Sequence, residues 1–188
     1  MHKPSVVNRI TLLAMLASIS AIIKIIFQAT TGPAARLTFY ELPIILAGSI
    51  FWPLSGMIVA YVSDLGYALN MGYGAIPNLM TVSALMWGLL SGLILYKRQI
   101  TLKRIIAVIL LASTFEFLIN GTQLFLWNLG TDPSLTWTMF MTSSAVRSII
   151  LIGKWPLQIY LMHLVYTRVM DASPLVMVNL KSVNPVLD

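Results

Sequence analysis

Apolar residues run along this chain in blocks too long and too unbroken to be the buried stripe of an amphipathic helix. Residues 10–28 are apolar apart from Lys24, residues 76–96 contain no charge, and residues 105–127 contain only Glu116. Residues 137–166 are apolar apart from Arg147, Lys154, Pro156 and His163. About 20 apolar residues in helical form cross a hydrocarbon layer of roughly 30 Å, so each block predicts one transmembrane helix. The stretch RLTFYELPIILAGSIFWPLSGMIVAYVSDLG, residues 36–66, does not fit one helix, because Pro53 within WPLSG removes a backbone donor and clashes with the preceding turn. Dividing it there gives helices over about residues 39–52 and 53–70. The first reaches only about 21 Å at 1.5 Å per residue, so it must be sheltered by its neighbours or thin the membrane. The prediction is an all-α integral membrane protein of six helices with a short second one.

Composition supports this reading. The 188 residues are 58% hydrophobic and 10% charged, whereas soluble domains are about 45–50% apolar and about 25% charged. The net charge of +6 does not imply nucleic acid, because the cations lie between the apolar blocks. With the N-terminus inside, the inner segments hold Lys3, Arg9, Lys97, Arg98, Lys103, Arg104, Arg168 and Lys181, and the outer segments hold Arg36 alone. That bias predicts cytoplasmic termini in a cell membrane. The first 21 residues resemble a signal peptide, but the apolar run continues through IIKIIF, so we read a retained first helix. Residues 1–170 then form one membrane domain and residues 171–188 a cytoplasmic tail. Absence of cysteine excludes disulfides, thiolate metal sites and cysteine nucleophiles.

Ionisable groups within a membrane are costly, at least about 2.5–3.5 kcal/mol each, and usually face an interior or cavity. Glu116, Asn120, Gln123 and Trp127 stand at helical spacings that place them on one face of the fifth helix. Arg147 lies about ten residues into the sixth helix, roughly 15 Å deep and near the level of Glu116 and Asn120. Two readings stay open: Glu116 and Arg147 pair structurally while the amides knit helices together, or the row lines a ligand pocket opening outwards. Asp64 either contributes to that pocket or pairs with Lys24. Arg36 is an interfacial arginine or a carboxylate clamp, and Trp87 and Tyr73 pack or stack on a planar ligand. Glu41 stabilises the positive start of the short helix, and Lys154 snorkels at the cytoplasmic end of the sixth. The two histidines form no metal cluster, and no metal or other cofactor is expected.

Neither a P-loop, H-E-x-x-H nor G-x-S-x-G is present, so no enzymatic activity is indicated. The segment around residues 36–69 nevertheless resembles the second and third helices of folate-family S components of energy-coupling factor (ECF) vitamin transporters. The likeness rests on Arg36, Leu42-Pro43, Ala47-Gly48, Pro53, Gly56 and Asp64-Leu65-Gly66, with Trp52 in place of the usual glycine. INGTQLFLW and AVRSIILIGKWPLQIYLMHLVY resemble the fifth- and sixth-helix motifs, extending the likeness over residues 9–168.

The resemblance implies a bacterial vitamin-capturing subunit that docks on a transmembrane scaffold subunit and two ATPase subunits. Ala17 and Ala21, with Ala14 beside them, match the small-residue docking pattern of the first helix. Folate is the favoured ligand: its pterin edge suits Glu116 or Asp64 with Asn120 and Gln123, its rings suit Trp87, Trp127 or Tyr73, and its carboxylates suit Arg36 and Arg147. The alternatives are a smaller vitamin or precursor (pyridoxine or hydroxymethylpyrimidine before pantothenate or cobalamin) and a membrane scaffold that transports nothing.

Overall fold

The computed structural model describes residues 6–31, 38–72, 78–128 and 133–172, without the side chains of residues 28–31, 124, 127, 128, 133–136, 139, 143 and 169–172. These residues form six helices: α1 (Val6–Thr31), α2 (Glu41–Ile50), α3 (Pro53–Asn70), α4 (Leu79–Leu95), α5 (Leu102–Asn128) and α6 (Pro133–Ala172). Below, the distal end is the one where α1 finishes and α2 begins. The proximal end carries the α2–α3 and α4–α5 turns.

The shortest helix is the central one. α2 has ten residues and every residue from Pro43 to Ser49 is buried, as expected of a helix that is apolar on all sides. It packs against α1, α3, α4 and α6, while α5 closes the bundle between α4 and α6. Of the two outcomes predicted for a short helix, shelter by neighbours is the one found. The outer faces of the long helices are apolar and exposed, including Ile10, Ile22 and Ile26 on α1 and Ile149, Ile152 and Tyr160 on α6. α1 over Val6–Phe27 and α6 over Phe140–Arg168 are long and apolar enough to cross a membrane.

Helix ends follow local chemistry. Pro53 opens α3, where its missing N–H would have had no intrahelical partner. Asn78 caps α4 in a reciprocal box: its side chain accepts from the Thr81 N–H at 3.1 Å, and the Thr81 hydroxyl accepts from the Asn78 N–H at 3.3 Å. α6 is longer at both ends than predicted and continues through Pro156, whose missing N–H leaves the ladder one bond short. The predicted cytoplasmic tail lies outside the described residues, apart from its first two, which end α6.

At the proximal end α2, α3 and α4 meet backbone to backbone. A Cβ added at Gly56 would lie 2.8 Å from the Gly48 Cα and 2.9 Å from the Gly88 Cα. One added at Gly48 would lie 2.6 Å from the Gly88 carbonyl oxygen, and one at Gly92 would meet the Pro53 backbone. Only glycine permits such approach, which accounts for Ala47-Gly48, Gly56 and the Gly88-x-x-x-Gly92 spacing on α4.

Candidate functional site

The polar residues gather in the distal half, and Tyr40 sits at their centre. It precedes α2, and its carbonyl oxygen accepts a hydrogen bond from Ser20 of α1 at 2.8 Å, while Ser63 of α3 donates to Ser20 at 2.8 Å. Its hydroxyl donates to Glu116 Oε1 at 3.0 Å, and Lys24 Nζ stands 4.3 Å over its ring. Glu116 receives a second bond on Oε2, from the indole N–H of fully buried Trp87 at 2.9 Å. Two neutral donors therefore hold this carboxylate, one on each oxygen.

Between α5 and α4 the polar row continues as a ladder. Ser83 donates to Asn120 Oδ1 at 3.0 Å, and the Leu79 N–H donates to Gln123 Oε1 at 3.2 Å. Trp87, Ser83 and Leu79 descend α4 by one turn each as Glu116, Asn120 and Gln123 climb α5, the register of an antiparallel helix pair. The amides thus knit α4 to α5, as one of the two readings of the row expected. Glu116 and Asn120 remain half-buried, and the side chain of Trp127, beyond them on α5, is outside the described residues.

Asp64 pairs with Lys24 across α3 and α1 at 2.9 Å, and its other oxygen accepts from the Thr81 hydroxyl at 2.6 Å. The Lys24 alternative is the one the structure adopts. Thr81 links this pair to the start of α4, because the same hydroxyl closes the Asn78 capping box.

Lys154 does not sit where predicted, while Glu41 stands in the first turn of α2 as expected. Rather than snorkelling at the cytoplasmic end, Lys154 is 5% exposed and its Nζ lies 2.5 Å from Oε1 of fully buried Glu41. α6 runs from Pro133 to Ala172, so Lys154 falls near its middle rather than at its cytoplasmic end, and it sits level with the start of the short α2. Glu41 is still the first residue of α2, but its charge answers an ammonium as well as the helix end. Arg147 lies two turns further towards the distal end of α6 and is half-buried. Tyr40 bonds one oxygen of Glu116 and Trp87 the other. Arg36 and Tyr73 lie outside the described residues.

The small residues of α1 divide. Ala17 is buried in the core and Ala21 is half-buried, its Cβ 3.6 Å from where a Cβ on Gly66 of α3 would lie; Ala14 is exposed. Positions 17 and 21 therefore serve packing within the bundle, and only Ala14 presents a small residue outwards. Reasoning from sequence missed Tyr40, Thr81 and Ser83. The Asn-x-x-Thr spacing at residues 78–81 was a usable signal for Thr81. Tyr40 gave none beyond its place before a helix. Among the described residues no group of three or more His, Asp or Glu is placed to hold a metal ion.

A sheltered central helix, exposed apolar flanks and a cluster of polar side chains in the distal half are the features of a helical membrane subunit. Comparison with known proteins gives the family. Residues 8–166 match the family described as ECF transporter, substrate-specific component, and the chain belongs to it. It is similar to the folate transporter FolT of Clostridium novyi (strain NT), at 24% identity over 136 residues, 69% of this chain and 77% of that protein. Two solved structures share the fold at 19% identity and a TM-score of 0.57. One is FolT bound with folic acid, covering 84% of this chain and 94% of its own; the other is the S component of a bacterial ECF transporter, covering 87% and 96%. The protein is thus a substrate-binding membrane subunit and not an enzyme, and it works with an ECF scaffold and ATPase module.

Proposed function

We propose that this protein captures folate at the outer face of a bacterial cytoplasmic membrane and releases it inwards. One transmembrane scaffold subunit and two ATP-binding-cassette subunits drive the cycle, and both termini of the chain are cytoplasmic. The observation that carries this reading is the convergence of Lys24, Tyr40, Asp64, Trp87 and Glu116 at the distal end, the end that charge counting places outside. Likeness to a folate transporter supports the ligand assignment.

The chemistry of the cluster suits a pterin. Each carboxylate oxygen of Glu116 has a lone pair beyond the one bonded by Tyr40 or Trp87, so adjacent N–H donors on a heterocycle edge have acceptors to meet. Glu116 and Asn120 are the half-buried members of the α4–α5 ladder, whereas Gln123 is buried within it. Trp87, Trp127 and Tyr73 supply aromatic faces, and Asp64 holds Lys24 in place over the Tyr40 ring. Arg36 and Arg147 are the guanidinium groups for the glutamate carboxylates, which they bind bidentately. Ala14, with the packed Ala17 and Ala21 behind it, offers the face of α1 to the scaffold subunit.

Tryptophan fluorescence of the detergent-purified protein, titrated with folate, pyridoxine, hydroxymethylpyrimidine, pantothenate and cobalamin, tests the reading. Saturable quenching by folate alone is the expected result, with Arg36→Ala weakening it. Saturation by a smaller vitamin instead would overturn the folate assignment and the arginine clamp together. No saturation by any of them, with the protein folded, would leave a scaffold role.

A further inference from the structure

Gln158 lies on the face of α6 that packs inwards, four residues from Lys154 and four from Met162. It is fully buried, as are Met162 and Tyr166 on the same stripe, while Leu157 and Tyr160 on either side are exposed. Its amide nitrogen and amide oxygen both lack a hydrogen-bond partner among the described residues. The second oxygen of Glu41, also fully buried, lacks one too. Lys154 brings these groups into one region, because it binds Glu41 and stands one helical turn from Gln158, about 6 Å between Cβ atoms at that spacing.

Such an arrangement is uncommon. Buried polar side chains are bonded in the large majority of cases, and a buried amide without partners is less stable than an apolar residue of the same shape. Neighbouring buried polar groups differ: the Tyr166 hydroxyl on the same stripe also has no hydrogen-bond partner among the described residues, whereas others are bonded. Trp155, adjacent on α6, donates its indole N–H to Ser113 at 2.9 Å, and buried Gln123 accepts from the Leu79 N–H. A partner that arrives with the ligand would account for a buried glutamine that has none among the described residues.

We propose that Gln158 and the second oxygen of Glu41 form a further ligand-binding position between α2 and α6, which takes an amide- or lactam-like group of the captured molecule. Glu41 only accepts, whereas Gln158 both donates and accepts, so together they match a group that carries an N–H beside a carbonyl. The position is continuous with the distal cluster, since Tyr40 bonds Glu116 and the next residue is Glu41. The inference rests on the vitamin-capturing reading and extends its site to Gln158, the glutamine of the KWPLQ stretch that resembles the family's sixth-helix motif.

Gln158→Met keeps the length of the side chain and removes both polar atoms, and Gln158→Leu does so with a branched chain. Thermal unfolding of the purified ligand-free protein is compared with wild type, followed by titration with folate. A binding residue held at a cost to stability predicts a Tm at least about 2 °C higher in one or both variants. It also predicts folate affinity weaker by about tenfold or more. A Tm that is unchanged or lower in both, or failure of both to fold, overturns the proposal, because Gln158 would then be a bonded structural residue. A higher Tm with unaltered folate affinity overturns it as well. If wild type does not bind folate, the folate assignment fails separately, and the ligand-free Tm comparison decides the position of Gln158.

Discussion

Replacing Lys154 with methionine removes one charge from a pair that the fold has withdrawn from water. The ammonium is 5% exposed and the carboxylate 0%, with 2.5 Å between Nζ and Oε1. Two unit charges about 4 Å apart attract by about 4 kcal/mol at an effective dielectric near 20. Stripping one partner from a buried pair costs about 3–5 kcal/mol, because the remaining charge keeps its desolvation penalty. Glu41 has no reserve, since its other oxygen has no partner among the described residues. At about 2–4 °C per kcal/mol for a chain of this size, Lys154→Met lowers Tm by roughly 6–20 °C. The assay is intrinsic tryptophan fluorescence during heating in detergent, at one scan rate for all variants. Glu41→Gln/Lys154→Met removes both charges and recovers most of the loss, because a buried pair roughly breaks even against neutral residues. A single variant within about 2 °C of wild type, or a double variant no better than the single, would refute the reasoning.

Three further outcomes follow from other contacts. Gly56→Leu places atoms where the Gly48 and Gly88 backbones already lie; the overpacking costs about 1–3 kcal/mol or more, whereas Gly66→Ala, meeting only Ala21 at 3.6 Å, leaves Tm nearly unchanged. Trp87→Phe keeps most of the ring and deletes the donor to Glu116; ligand affinity falls by about 1–3 kcal/mol in titration calorimetry, and unaltered affinity would remove Glu116 from the site. Ala14→Trp alters an exposed position and Ala17→Leu a buried one, so the first lowers co-purification with the scaffold subunit at unchanged Tm and the second lowers Tm of the isolated chain.

Much of this architecture was legible in the residues. The third helix runs over residues 53–70 as predicted, because Pro53 and the polar Asn70 punctuate it directly. Spacing on α5 gave the shared face of Glu116, Asn120 and Gln123 correctly, but spacing has no means of saying what a face meets. Here it meets α4, through Trp87, Ser83 and a backbone amide. The placement of Lys154 failed for a geometric reason: α6 runs on to Ala172, which leaves Lys154 near the middle of the helix, where the short α2 begins. Tyr40 was illegible because its importance comes from Ser20, Lys24 and Glu116, which lie on other helices and far from it in the chain. The family resemblance drew attention to Gly48 and Gly56, but only the packing of α4 shows why Gly88 and Gly92 must accompany them.

Consider, finally, where the glycines lie relative to the polar residues. The seam that locks α2, α3 and α4 uses backbone atoms at the proximal end, and the groups able to recognise a solute stand at the distal end. Three helices are clamped at their feet, and their heads carry interchangeable side chains. On the proposed reading, substitutions among the heads change ligand preference and leave the glycine contacts in place. Substitutions in the seam threaten every version of the protein alike. The proposed site thus lies apart from the glycine seam, so a change of cargo need not disturb the backbone contacts of α2, α3 and α4, while the distal pairs that also join helices set how far it can go.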